Sequence, residues 1–193
     1  EFKSATNQSP KYAEPGGQGE EKNLTLELKF IADVGLIGLP NAGKSSLLAY
    51  LTHAHPKIGN YPFTTTAPNI GMLGQHMIAD IPGLIEGASE GKGLGIRFLR
   101  HIEKTKLLVH CIDATEEDFL KAYKVVRTEF ERYNPLLLEK PEIVLITKKD
   151  LVSEIDLEKK IKPLKKLKLK ILTSSIYDES SLQALVKQIQ TQI

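Results

Sequence analysis

A nearly unbroken apolar run, residues 30–38 (FIADVGLIG), passes straight into the loop GLPNAGKSS and then into a helical pattern over residues 45–51. An apolar run without alternation suits a central parallel strand covered on both faces. The loop fits G-x-x-x-x-G-K-[ST] at Gly38, Leu39, Pro40, Asn41, Ala42, Gly43, Lys44 and Ser45, with Ser46 following. Gly38 and Gly43 allow a tight turn and a close backbone approach. Successive N–H groups ahead of a helix form a nest for phosphate. Lys44 reaches toward the outer phosphates of a nucleotide, and the Ser45 hydroxyl suits Mg²⁺, a hard cation that takes oxygen ligands. Strand, loop and helix in that order predict an α/β P-loop NTPase fold.

The rest of the chain extends that fold. Residues 1–22 are polar and carry Pro10, Pro15, Gly16, Gly17 and Gly19, the composition of a tail or linker. Leu24, Leu26, Leu28 and Phe30 alternate with polar residues as in a half-buried strand. Residues 53–68 read as a loop. Strands are expected at 69–73 and 75–81, with Gly74 in the turn between them. Residues 82–95 are glycine-rich and suit a switch segment. A helix follows at 96–103, a strand at 107–112, and a helix at 116–133 that Asp113 or Thr115 can cap. Beyond these come a strand at 142–147, a helix over 154–166 interrupted by Pro163, a strand at 167–173 and a helix at 181–190. The alternation predicts a mostly parallel six-stranded sheet with helices on both faces.

Three downstream segments narrow the ligand to a guanine nucleotide. Asp80-Ile81-Pro82-Gly83 ends a buried strand, where a carboxylate can hold Mg²⁺ through water and the Gly83 N–H can face a γ-phosphate. Phe63-Thr64-Thr65-Thr66 lies in the intervening loop. There Thr65, with Thr64 and Thr66 as neighbouring alternatives, can close over the metal only while a γ-phosphate is present. Thr147-Lys148-Lys149-Asp150 ends a later strand. Asp150 can accept the N1 and N2 donors of guanine, a pair adenine lacks, while the Lys148 stem can lie over the base. Ser174, Ser175 and Ile176 suit a final loop whose backbone N–H meets the guanine O6.

Bulk properties set outer bounds. A net charge of +2 is too small to argue for nucleic acid. Cys111 is the single cysteine, so no internal disulfide forms; a reducing compartment fits, and the cytoplasm is the expected location. No apolar run is long enough to span a membrane. The chain starts without Met or an apolar signal core, as expected of a fragment of something longer. His53, His55, His76, His101 and His110 lack metal-ligand spacing, and Cys111 is expected to pack in a strand. The run Lys159, Lys160, Lys162, Lys165, Lys166, Lys168 and Lys170 reads as a solvated face, with RNA contact as the alternative.

Residues 28–46, 60–69 and 80–103 together resemble the Obg family of bacterial GTPases, and Phe2-Lys3-Ser4 with residues 7–10 resembles the end of that family's glycine-rich N-terminal domain. The resemblance implies a Ras-like sheet, with residues 1–27 as linker and domain end and 28–193 as the GTPase domain. It implies a monomeric GTP/GDP switch that works with the RNA and proteins of the large ribosomal subunit, and regulation by guanosine tetraphosphate. Lys44, Thr65, Gly83 and Asn41 become the expected catalytic group, and Ser45, Thr65 and (through water) Asp80 the Mg²⁺ ligands. In related GTPases an asparagine at the place of Asn41 helps hold K⁺ near the phosphates. Two departures from the general GTPase pattern matter. Leu84 stands where Ras-type enzymes place a water-orienting glutamine, which implies slow hydrolysis. Thr147 stands where an asparagine normally ties the base loop to the phosphate loop, which implies weaker guanine binding. Two alternatives stay open: a nucleotide-dependent binding module with negligible hydrolysis in the absence of its ribosomal partner, and relaxed purine specificity.

Overall fold

A computed structural model of the chain describes residues 5–6, 8–9, 16–22, 32–52, 57–58, 69–81 and 102–193. The strands are β1 (Val34–Ile37), β2 (Lys57–Ile58), β3 (Asn69–Leu73), β4 (His76–Asp80), β5 (Leu107–Asp113), β6 (Glu142–Thr147) and β7 (Lys170–Thr173). Among the described residues the α-helices are α1 (Lys44–Leu51), α2 (Phe119–Tyr133), α3 (Glu154–Lys165) and α4 (Glu179–Gln192). The strands form one sheet in the order β2-β3-β4-β1-β5-β6-β7. Pairing is parallel from β4 through β7, while β2 with β3 and β3 with β4 are antiparallel.

Side-chain alternation explains why the central runs read as continuously apolar. Val34 and Leu36 of β1, Leu107, Val109 and Cys111 of β5, and Ile143 and Leu145 of β6 face one side. They pack there against Leu47, Leu48 and Leu51 of α1 and Leu182, Leu185 and Ile189 of α4. Ile37 and Leu108 face the other side, against Val126 and Phe130 of α2. Ile112, Val144 and Ile146 meet Phe119 and Tyr123 of α2 and Leu157, Ile161 and Leu164 of α3 there. A strand covered on both faces has no polar side to display.

Among the described residues the six strands expected from 30–38 onward are present, and β2 adds a seventh. It lies in the segment read as loop and pairs with Asn69 and Ile70. Two residues are too few to show a period. Gly74 takes φ 61° in the β3–β4 turn, as expected.

Several boundaries move. Asp118, not Asp113 or Thr115, caps α2, accepting from the Lys121 N–H at 3.0 Å. The chain first turns at Asp113, whose carbonyl accepts the Glu116 N–H, so the helix starts later. Pro163 does not interrupt α3, which runs through it to Lys165. The ring removes one hydrogen bond, but Leu157, Ile161 and Leu164 anchor the same face on the sheet, and only two residues of helix follow. Leu167 and Lys168 close a turn onto Leu164 and Lys165, so β7 is shorter than read. Lys160 leaves the solvated lysine run: its ammonium donates to the Ala114 carbonyl at 3.1 Å and sits 5.5 Å from the Phe119 ring centre. The alternating segment 24–30 and the helix read over 96–101 lie outside the described residues.

One buried polar cluster links β5, β6 and α2. Glu142 accepts from Tyr123 and Arg127 at 3.1 Å each, and His110 Nδ1 lies 2.9 Å from its other oxygen. Burial alone would raise the Glu142 carboxyl, but His110, Arg127 and Tyr123 outweigh it and hold it below its ordinary value.

Candidate functional site

The expected phosphate loop lies at the C-terminal end of β1. The sheet order reverses at β1, with β4 on one side and β5 on the other, and in open α/β sheets this is where ligands bind. Gly38 takes φ 139°, and a Cβ there would sit 2.2 Å from the Cys111 carbonyl oxygen, so only glycine lets the loop lie against β5. Gly43 follows at φ 80°, and Asn41 takes φ 62° without being glycine. Left-handed residues among helical ones turn successive N–H groups inward.

The N-terminus of α1 has no side-chain cap. Those of α2, α3 and α4 are capped by Asp118, Ser153 and Asp178. An uncapped helix N-terminus of this kind suits an anion. Lys44 is buried and folds back over the loop, donating to the carbonyls of Gly38 at 3.1 Å and Leu39 at 2.9 Å. Two of its three ammonium hydrogens hold it there, and one remains for a phosphate oxygen.

Asp80, at the end of β4, is 3% exposed. Its Oδ2 accepts the Ser45 hydroxyl, and its Oδ1 is buried without a hydrogen-bond partner. A buried, half-satisfied carboxylate beside a serine hydroxyl is a donor set that fits a hard cation. Ile81 packs next to it in the core. Phe63, Thr64, Thr65, Thr66, Pro82, Gly83 and Leu84 lie outside the described residues, as does the rest of the glycine-rich segment.

The expected base end of the site is held together by side chains. Thr147 is buried, and its hydroxyl donates to the Ala42 carbonyl at 2.9 Å, with the Ile112 carbonyl at 3.2 Å. The tie between base loop and phosphate loop that an asparagine normally makes is made here by the shorter threonine side chain. Thr147, at the end of β6, lies close enough to the phosphate loop for a hydroxyl to reach it: a Cβ on Gly43 would lie 3.7 Å from Thr147 Oγ1. Lys148 takes φ 55° and sends its ammonium to the Asn41 carbonyl at 2.8 Å and to Asp113 Oδ2 at 2.5 Å. Its stem therefore spans from the base loop to the phosphate loop.

Lys149 donates its N–H to the Ser174 carbonyl at 3.1 Å and pairs through its ammonium with Asp178. These contacts set the segment carrying Asp150, which is exposed, beside Ser174, Ser175 and Ile176. Ser174 and Ser175 are buried, and Ile176 is exposed.

In the sequence, Asp113 is legible only as a helix cap. It instead holds Lys148 in place, while its Oδ1 accepts the N–H and hydroxyl of Thr115, both at 2.8 Å. Burial alone would raise this carboxyl; the Lys148 bond and the two Thr115 bonds outweigh it and keep it below its ordinary value. The available signal was an acidic residue ending a buried strand, the same pattern that singled out Asp80. Asp178 was also missed; Lys149 and Ser180 hold its carboxyl well below the usual range.

Residues 33–149 match the family described as 50S ribosome-binding GTPase. Among curated relatives, the GTPase Obg of Prosthecochloris aestuarii is 54% identical over 158 residues, covering 79% of this chain and 48% of that protein. The GTPase Obg of Desulfatibacillum aliphaticivorans is 57% identical over 158 residues, covering 78% and 47%. The chain belongs to the Obg family of GTPases. It spans about half the length of the Obg relatives it matches. The fold is also that of an S. thermophilus NFeoB mutant bound to GDP, with TM-score 0.64, 19% identity and coverage of 84% of this chain and 63% of that one. An Aquifex aeolicus Era variant bound to GDP.AlF4- superposes with TM-score 0.61 at 22% identity, covering 84% and 57%.

Proposed function

We propose that this Obg-family chain, over residues 28–193, is the GTPase domain of a magnesium-dependent nucleotide switch, with residues 1–27 as the linker that leads into it. The observation that carries this reading is the buried Asp80 carboxylate, with Oδ1 unpartnered beside the Ser45 hydroxyl at the mouth of an uncapped helix. Ser45, Asp80 and Thr65 are the residues that would hold Mg²⁺, Asp80 through water, and the ion would supply positive charge to offset that of the phosphates.

The chain's own groups do the rest. The N–H groups of residues 41–46 cradle the phosphates, and Lys44 adds a charged donor. Gly83 offers its N–H to the γ-phosphate, and loss of that phosphate on hydrolysis releases the switch segment. Asp150 accepts the guanine N1 and N2 donors, Lys148 covers one face of the base, and the Ser174–Ile176 loop supplies the O6 donor. Leu84 cannot hydrogen-bond water, so hydrolysis to GDP and phosphate is slow. Asn41 carries the proposed K⁺ contact that compensates. Guanosine tetraphosphate competes for the same guanine and phosphate contacts. The partner that reads the GTP form is the large ribosomal subunit during its assembly, in the cytoplasm.

Titration with GTP, ATP and XTP, with Mg²⁺ in K⁺ and in Na⁺, tests this directly. The expected order is GTP far ahead of ATP, with hydrolysis faster in K⁺. ATP binding as tight as GTP sinks the guanine reading, and equal rates in Na⁺ and K⁺ remove the Asn41 role. Leu84 also favours a second reading, a binding module that hydrolyses only on its partner. Single-turnover rates with and without large subunits separate the two.

A further inference from the structure

Ser175 sits in a buried turn in which each of its polar groups is engaged. Its carbonyl accepts the Asp178 N–H at 3.0 Å, and its hydroxyl accepts the Tyr177 N–H at 3.1 Å. Its own N–H donates to the hydroxyl oxygen of Ser181, in the first turn of α4, at 3.3 Å. Ser181 can only accept in that contact, because its hydroxyl proton is given to the Asp178 carbonyl at 2.7 Å. The Ser181 N–H is in turn held by the Asp178 side chain at 3.3 Å, which fixes the hydroxyl against the turn.

We propose that Ser181 sets guanine affinity and exchange rate, its hydroxyl oxygen competing with the O6 of guanine for the Ser175 N–H. The proposal rests on the reading of Ser174–Ile176 as the O6 loop. Ser175 is 2% exposed, so its N–H in an empty site would otherwise lack both water and protein partners, a costly state. The Ser181 oxygen removes that cost from the empty form only. Whatever stabilises the empty form alone weakens binding by the same amount and favours release. The base site thus carries its own substitute for the O6 contact. The 6-oxo group is the part of the ligand it opposes, and the N1 and N2 donors that meet Asp150 are unaffected.

The test measures binding and release of GDP, IDP and 2-aminopurine riboside diphosphate by wild type, Ser181→Ala and Ser181→Thr. GDP and IDP carry O6, and the 2-aminopurine nucleotide does not. Ser181→Ala is expected to bind GDP and IDP about threefold to tenfold more tightly, the scale of one hydrogen bond, with slower release. Its affinity for the 2-aminopurine nucleotide stays at the wild-type value, and Ser181→Thr, which keeps the oxygen, behaves as wild type. Ser181→Gly removes the same oxygen and repeats the test should the alanine variant fold poorly. Unchanged or weaker GDP binding, or an equal gain with the 2-aminopurine nucleotide, overturns the proposal. Asp150→Asn runs alongside, with XDP and GDP. If it does not move preference toward XDP, the base-site reading itself fails; if it does and Ser181→Ala changes nothing, only the role of Ser181 fails.

Discussion

At the phosphate end of the site the shape is set by backbone, with positive φ at Gly38, Asn41 and Gly43 and a helix terminus without a side-chain cap, around the side chains of Lys44, Ser45 and Asp80. At the base end it is set by side chains that reach across the fold, Thr147 to Ala42 and Lys148 to Asn41 and Asp113. The first end depends on conformations that few residue types allow, so a single added methyl can destroy it. The second depends on hydrogen bonds worth about 1 kcal/mol each, so it loses affinity in steps. The ends meet at Asn41 and Ala42, whose carbonyls accept the base-loop side chains from the rim of the phosphate nest.

Substitutions that separate the two ends test this difference. The largest effect is expected from Gly38→Ala, which drives a Cβ into the Cys111 carbonyl at a positive φ. Thermal melts should show a loss of about 3 kcal/mol, and phosphate and nucleotide binding should disappear together. Near wild-type binding would mean the loop tolerates another path past β5. Lys44→Ala should leave the fold intact and weaken GTP and GDP about 100-fold, the worth of a hydrogen bond to a charged group in a dry site. Inorganic pyrophosphate should weaken in parallel, as measured by competition against a fluorescent nucleotide.

Asp113→Asn should act only at the base end. With its charge partner gone, Lys148 loses its fixed path, and GDP is expected to weaken about tenfold while pyrophosphate binding holds. A matching loss for pyrophosphate would show that the two ends are one unit. The smallest effect is expected from Thr147→Val: about fivefold in GDP affinity, one neutral hydrogen bond, with Thr147→Asn restoring or exceeding wild type. The Asp113–Lys148 pair also has a pH signature. Asp113 has a depressed carboxyl, so its contribution to stability is fully present above the ordinary Asp value of about 3.9 and is lost as pH falls below it toward the folded value. Acid melts should therefore show a stability loss below about pH 4 that Asp113→Asn reduces.

Legibility followed the same divide. The strand–loop–helix at residues 30–51 could be read because glycine at forced backbone angles and a buried apolar run leave local marks. Asp80, Thr147, Lys148 and the Ser174–Ile176 loop could be read as motifs, each at the end of a strand. What those side chains hold could not. The Thr147 hydroxyl reaches a carbonyl 105 positions away, and whether it spans that gap depends on how closely β6 and the phosphate loop approach. Asp113 looked like a helix cap because it precedes a helical pattern; the intervening turn and the Lys148 ammonium claimed it. Pro163 looked like a break because local chemistry ignores the face that α3 buries.

By itself, then, the order of residues determined the sheet with helices on both faces and the glycine-shaped loop after β1, and it marked where the proposed guanine contacts lie. These rest on local backbone limits and on apolar periodicity, which neighbouring residues alone decide. Only the tertiary structure decided that Thr147 keeps the tie, that Asp113 holds Lys148, and that Ser181 occupies the Ser175 N–H. A hydrogen bond exists or not within a few tenths of an ångström, and packing sets distances of that scale between residues far apart in the chain.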